Sequence, residues 1–428
     1  TTITRAAVGV YARGVLDGTT VRGNSVDSNG SGMVLSGATG LAVSDANVVS
    51  RSDSYGILVQ GSSAGTTIAG NTVDTNVAGV VLSGATGVAV EGSNTISRSS
   101  AYGVYVGGAS TGTRVAGNTI DGAGAGSYGL FVDGATGAVL GDVAAGNALA
   151  GWTIGVYARG TLGGTSLRAN TVTGGVAGML LADAAGLTVE GGNRFTGASA
   201  YGILAEGDST GTALTGNTVD QNVVGLWLSG ATGLSVAGSN QFIANSSHGI
   251  YATGADDGTR IVGNVINGSG LGATGVFLDG ATGLALGGAG AGEINTITGS
   301  AVGISATGLL AGTGVVANIV SGNQSGLVLS SAKNLSVSGG NHFIGSAAFG
   351  LYGTGDCDGT VVQGNQFESN SSGVVLENAR RLTVVNANRM VSNTAFGLYA
   401  KGDSTGTTVL GNEITGNGLN IDTSAAVG

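Results

Sequence analysis

Apolar residues return along this chain in short bursts of alternation, each opened by a glycine. In GVYVGG (Gly103–Gly108) and GLWLSG (Gly225–Gly230), aliphatic or aromatic residues alternate with small or polar ones, the period-2 signature of a β-strand. The same burst follows Gly9, Gly32, Gly56 and Gly79, and recurs through to Gly373 and Gly397. Two shorter strand patterns complete each unit, as in TRVAG and NTID (Thr113–Asp121). No stretch carries a useful helical period. Asparagine sets the spacing. Asn24, Asn47, Asn71, Asn94, Asn118, Asn147, Asn170, Asn193, Asn217, Asn240, Asn264, Asn295, Asn318, Asn341, Asn365, Asn388 and Asn412 stand 23 or 24 residues apart, except for steps of 29 and 31. A repeat of this length predicts stacked coils, each contacting its neighbours.

Two longer periods lie over the first. Coils alternate between a GT turn, as in AGTT (Ala64–Thr67), and a GATG turn, as at Gly84–Gly87 and Gly280–Gly283. GVYARG recurs at Gly9–Gly14 and Gly155–Gly160, and GISATG follows at Gly303–Gly308. The expectation is one continuous solenoid over residues 1–428, with super-repeats at about 1–146, 147–294 and 295–428. Strict alternation places the residue before each coil glycine and the third residue after it on the inner face. On that reading Tyr55, Tyr201, Phe349 and Phe396 pack inward beside the small Ala78, Ala177, Ser325 and Ser372 of neighbouring coils, filling the interior without voids. The segments near Gly122–Tyr128, Asp142–Asn147, Gly268–Thr274 and Gly287–Asn295 read as bulging turns. Because the chain starts and stops at equivalent points of the repeat, the expectation is that it comes from a longer array or stacks end-to-end on copies of itself.

Composition narrows the class. Glycine supplies 86 of 428 residues and proline none, which excludes collagen. A hydrophobic share of 42% with 9% charged residues excludes disorder. With 15 Lys+Arg and a net charge of −10, nucleic acid and anionic membrane are disfavoured as partners, since both require basic clusters. No apolar run is long enough to span a bilayer. The lone Cys357 makes no intrachain disulfide.

Coil glycine, short aliphatic strand and GN-(T/V)-(I/V) turn together resemble the right-handed parallel β-helix repeats of the pectate-lyase-like superfamily, above all the GNxI repeats of NosD-like and mannuronan-epimerase-like proteins. The resemblance covers the whole chain. It implies an all-β, single-stranded, right-handed parallel β-helix of about 17 coils with an internal asparagine ladder, in which amides one coil apart satisfy each other. It also implies an extracellular or cell-surface location.

Candidate chemistry is sparse. The resemblance implies polysaccharide chemistry on the outer face of one sheet, from aspartates with basic residues or from a Tyr/His/Asp constellation. The epimerase YG-F/I-DPH motif is absent. His248 occupies the slot of Tyr55 and Phe349 and reads as an inward stacking residue. His342 reads as structural, with no evident charged partner. Asp256 and Asp257 in GADDGT, and Asp356 and Asp358 in GDCDGT, read as solvated turns with at most weak calcium binding. No metal or other cofactor is expected. Arg51 with Arg98, or Arg380, Arg381 and Arg389, could hold a sugar carboxylate in bidentate fashion, although solvated surface arginines are the favoured reading. Threonines such as Thr19, Thr66 and Thr113 recur too sparsely for a dense ice-binding array.

The second residue after each coil glycine points outward. That column holds Tyr11, Tyr105, Phe131, Tyr157, Trp227, Tyr251, Phe277, Tyr352 and Tyr399, an exposed aromatic stripe suited to sugar stacking or protein contact. The sequence therefore favours a non-catalytic extracellular array (stalk, adhesin shaft or filament subunit), binding itself or a surface polysaccharide. The alternative is a polysaccharide lyase, epimerase or glycosidase, or a carbohydrate-binding module built on the stripe.

Overall fold

The computed structural model describes residues 1–427, Ala125 through its backbone alone. Gly428, the last residue of the third expected super-repeat, lies outside the described residues. All regular structure there is β. One coil shows the plan: a long strand Tyr55–Ser62, a short strand Thr67–Ala69, a second short strand Thr72–Asp74, then the next long strand Ala78–Thr86. Each strand pairs in parallel with its equivalents in the coils before and after. Val80 lies between Ile57 and Val104, Val73 between Val49 and Ile96, and Val90 between Ile68 and Val115. Three parallel sheets thus wind around the core of these coils. Eighteen long strands occur among the described residues, one more than the seventeen ladder asparagines, because Leu419–Val427 follows Asn412. The chain divides into two units, Thr1–Ile203 with Asp208–Ala213, and Leu204–Gly207 with Leu214–Gly428.

The core follows the alternation that starts one residue after the coil glycine. Ile57, Val59, Val80, Leu82, Val104 and Val106 from the long strands, with Val73, Ile96, Ile68 and Val90 from the short ones, are fully buried. The coil glycine is itself buried. A Cβ on Gly56 would stand 2.5 Å from Val73 Cγ1 and 2.6 Å from the Gly79 carbonyl oxygen, so this corner admits no side chain. Here the structure corrects the sequence reading. The glycine and the residue after it both face inward, so alternation resets at the corner and the preceding residue faces out. Tyr55 is exposed, while Tyr201, His248, Phe349 and Phe396 are half-buried. The expected pairing of ring and small residue does occur, but on the outer face: Ala78 sits in register between Tyr55 and Tyr102.

The asparagine ladder runs through each unit. In the first, Asn47 Nδ2 donates to Asn71 Oδ1 at 2.8 Å, and Asn94 to Asn118 at 2.8 Å; in the second, Asn295 to Asn318 at 2.9 Å and Asn341 to Asn365 at 2.9 Å. The same amides donate to carbonyls of the preceding coil, as Asn47 does to Val21. Buried backbone and side chain thereby satisfy each other. A second, interrupted ladder stands five residues further along each coil. Asn29, Asn76, Asn222, Asn245, Asn323, Asn370 and Asn393 are buried beside the coil glycines, and Asn370 Nδ2 donates to Asn393 Oδ1 at 3.1 Å. Serine replaces asparagine in other coils, where Ser52 N donates to Asn76 Oδ1 at 2.9 Å.

Threonine explains the pairing of coils. Thr66 is buried, donates to the Ala38 carbonyl at 2.5 Å and accepts from Leu41 N. Thr165, Thr313 and Thr360 do the same for Ala135, Ala281 and Ala332. The GT turn of one coil thus caps the alanine of the GATG-type turn before it. Thr66 and Thr113 point inward, which removes them from any surface array.

One expected bulging segment is a bulge within a strand, with the register shifting between Asp121 and Gly126. Gly122–Tyr128 lies inside the strand Thr119–Thr136. Its glycines make room for Trp152, which is buried and donates Nε1–H to the Ile120 carbonyl at 3.0 Å. A Cβ at Gly126 would stand 1.9 Å from the indole.

Candidate functional site

The outer face of the long-strand sheet gathers the aromatic side chains. In the first unit one column runs in register through Tyr11, Val34, Leu58, Val81, Tyr105, Phe131 and Tyr157. In the second it runs through Trp227, Tyr251, Phe277, Ser305, Val328, Tyr352, Val375 and Tyr399. Exposure along it is uneven: Tyr11 is 60% exposed and Phe131 6%. The difference comes from the column beside it, which the sequence reading placed inside. Tyr102, Tyr128, His248, Phe349 and Phe396 lean over the stripe and stack on it.

Two clusters and two separate pairs result. In the first unit Tyr102, Tyr105, Tyr128, Phe131 and Tyr157 form a continuous set of rings. Tyr102 and Tyr128 have centroids 6.0 Å apart, and Phe131 and Tyr157 are 4.9 Å apart. The Arg159 guanidinium lies 5.1 Å from the Phe131 centroid and closes on Asp133 at 2.9 Å. In the second unit Trp227, His248, Tyr251 and Phe277 stack at 5.2–5.7 Å. Further along, Phe349 stacks on Tyr352 and Phe396 on Tyr399. Such pairs contribute about 0.5–1.5 kcal/mol each beyond burial.

Between Tyr55 and Tyr102 the face opens into a cavity of about 330 Å³, at the small end of the ligand-pocket range. Tyr55, Tyr102 and Tyr105 wall it, Leu58 and Val81 floor it, and Gln60 and Ser83 rim it. The two flanking tyrosines belong to coils two apart, so about 10 Å separates their strands, and Ala78 between them leaves the gap unfilled. A shallower groove of about 650 Å³ adjoins it through Gln60 and is lined by Arg13, Ser36, Thr39 and Ser62.

The tyrosine hydroxyls here are hydrogen-bond donors. Tyr251 donates to Asp279 at 3.1 Å and Tyr352 to Glu377 at 3.0 Å; Tyr105 faces Asp133 at 3.4 Å. Burial first, then the adjacent carboxylate, pushes each of these phenols above its ordinary value. The Arg159 guanidinium holds the Asp133 carboxyl below the usual carboxylate range. Burial lowers His248, whose Nδ1 lies 2.8 Å from Ser247 Oγ, so the ring is neutral at neutral pH.

The other expected sites take different forms. Arg51 closes on Asp27 at 2.5 Å and Arg98 on Asp74. Arg381 pairs with Asp356, Arg389 with Glu413 at 2.9 Å, and Arg380 approaches Asp403 at 3.7 Å. These guanidiniums are occupied by acids one coil away, which replaces the candidate anion site. His342 has a partner after all, with Nε2 lying 3.0 Å from Glu368 Oε2. Asp356 and Asp358 share Arg381, which lies 3.8 Å from Asp358, whereas Asp256 and Asp257 diverge. Asp256 is fully buried while Asp257 is exposed. Asp256 Oδ1 accepts the Ala231 N–H at 2.8 Å and Oδ2 has no partner. Burial pushes its carboxyl up to about 7. Asp356 is held by Arg381 and by Lys333 at 3.1 Å.

A family model described as periplasmic copper-binding protein (NosD) matches residues 1–124, 124–274 and 275–427. The chain belongs to the NosD family. No curated protein matches it. Among solved structures, the tailspike protein of E. coli bacteriophage HK620, in complex with a hexasaccharide, superposes with a TM-score of 0.51 at 11% identity, over 78% of this chain and 69% of that one. The A-module of the Azotobacter vinelandii mannuronan C-5 epimerase has a TM-score of 0.44 at 14% identity, over 81% and 90%. An alginate lyase from Paenibacillus has 0.33 at 14%, over 65% and 92%. These likenesses concern the fold.

Copper is tested against the residues. The soft or imidazole donors that suit it are His248, His342, Cys357, Met33, Met179 and Met390. Cys357 and the three methionines are fully buried. His248 stacks on rings in one coil, and His342 faces Glu368 in another. Among the described residues no three His, Cys, Asp or Glu side chains gather. This donor set does not fit a resident copper ion.

Proposed function

We propose that this NosD-family chain is a non-catalytic saccharide-binding solenoid, acting outside the cytoplasm, with the outer aromatic face of the long-strand sheet as its binding surface. One observation carries the reading: the cavity between Tyr55 and Tyr102, walled by phenol rings and rimmed by Gln60 and Ser83. Pyranose faces stack on aromatic rings, while the amide and hydroxyl supply donors and acceptors for sugar hydroxyls. The bound hexasaccharide of the tailspike, which shares this fold, accords with it. Regular coils suit the repeated display of such sites, as in an adhesive array on a surface polysaccharide.

Catalysis is the second reading, and it draws on His248, Tyr251 and Asp279 meeting on one face. Proton abstraction from a sugar requires an ionised phenol or a free base. Burial and Asp279 hold Tyr251 protonated, which leaves the neutral His248, stacked on Tyr251 and Phe277, as the base of this set. Titration calorimetry of the intact chain against a glycan panel tests the proposal. Tyr55→Ala and Gln60→Ala, each checked for unchanged β circular dichroism, are expected to weaken binding at least tenfold. Binding unaffected by both substitutions would place the surface elsewhere.

A further inference from the structure

From the charge of the cavity we infer that its glycan is uncharged, a neutral pyranose chain and not a uronate. The inference rests on the saccharide-binding reading above. No residue lining the cavity carries a charge. The carboxylate that faces the Tyr105 hydroxyl, Asp133, accepts from it and is neutralised by the Arg159 fork at 2.9 Å. A sugar carboxylate placed between Tyr55 and Tyr102 would shed water without meeting a cation, and burial of an unpaired charge is opposed strongly. The guanidiniums that could receive it, Arg51 and Arg98, already hold Asp27 and Asp74. The net charge of −10 adds long-range repulsion of polyanions. A neutral ring meets no such penalty. Its apolar face covers Leu58 and Val81, and its hydroxyls reach Gln60 and Ser83.

Arg13 makes the test sharp. It lines the adjoining groove rather than the cavity, and no acidic partner faces it among the described residues. A uronate spanning both would depend on it, and a neutral glycan seated in the cavity would not. The intact chain is titrated with neutral cello- and chito-oligosaccharides and with oligoalginate and oligogalacturonate, at low and high salt. Neutral chains are expected to bind at least tenfold tighter than acidic ones, with little salt dependence, and Arg13→Gln is expected to leave that binding unchanged. Acidic chains binding equally or more tightly, through Tyr55 but weakened by salt or by Arg13→Gln, would overturn the inference while leaving saccharide binding intact. Binding to neither class would overturn both.

Discussion

Asp256 offers the clearest test of how the interior of this solenoid is built. It occupies an inward position that is serine in other GT-turn coils, as at Ser63, Ser110 and Ser209. Its carboxyl has one oxygen on the Ala231 N–H and the other without a partner. Burial raises it from the ordinary 3.8 to about 7. The folded chain therefore holds this proton from about pH 4 to 7 while the unfolded chain releases it. With more protons bound in the folded state, stability falls as pH rises through that window and levels off above it. At 1.36 kcal/mol per tenfold change in proton affinity, the full loss is on the order of 4 kcal/mol. Asp256→Ser removes the titration and keeps a small polar side chain that the repeat already tolerates. Urea unfolding at pH 4 and pH 8 is expected to show wild type losing on the order of 4 kcal/mol more than Asp256→Ser over that interval. Solenoids can open locally, so exchange of the Ala231 amide gives a second readout: above pH 7 its protection should be weaker in wild type than in the variant, measured against other amides of the same coil. Equal pH dependence of both proteins would refute a buried, uncompensated carboxyl.

Other substitutions test the remaining parts. Asn94→Ala strands the Asn71 N–H and Asn118 Oδ1 and frees the Ile68 carbonyl, and is expected to cost about 3 kcal/mol or more in urea unfolding. Trp152→Ala empties the glycine-lined corner and is expected to cost about 3–5 kcal/mol, with loss of the blue-shifted part of the tryptophan emission. Arg98→Ala removes an ion pair whose guanidinium is mostly exposed and should change stability by less than about 1 kcal/mol, with the difference vanishing in high salt. Ala78→Phe should fill the slot between Tyr55 and Tyr102 and abolish glycan binding with little change in unfolding midpoint, read by calorimetry on the folded variant.

The coil plan was legible because burial demands the same residue type at the same place in every turn. An amide such as Asn94 finds donors and acceptors only from equivalents one coil away, so its spacing survives the two long steps at Asn147 and Asn295. The outward column was legible wherever alternation held, from Ile57 through Leu58 to Val59. It failed at the corner, where Gly56 and Ile57 both face inward and turn Tyr55 out. That one reset misplaced His248 and hid the walls of the cavity. The second ladder escaped because Ser52, Ser99 and Ser346 break its asparagine period. The ion pairs escaped for another reason. Arg51 and Asp27 stand 24 residues apart, so no local pattern joins them, although the coil period read modulo 23 or 24 brings them together.

The cavity follows from the period of coil pairs. Side chains one coil apart are about 4.8 Å distant, the contact distance of stacked rings, so an aromatic residue in every coil closes the face. Tyr102 and Tyr128, in consecutive coils, stack in this way. A small residue in alternate coils doubles the spacing to about 10 Å, room for one further flat ring between two fixed ones. Ala78 does this between Tyr55 and Tyr102, and Ser372 stands in the same relation to Phe349 and Phe396. The alternation of large and small residues, read from sequence as a device for filling the interior, thus acts on the outside, where it leaves a gap one ring wide between Tyr55 and Tyr102.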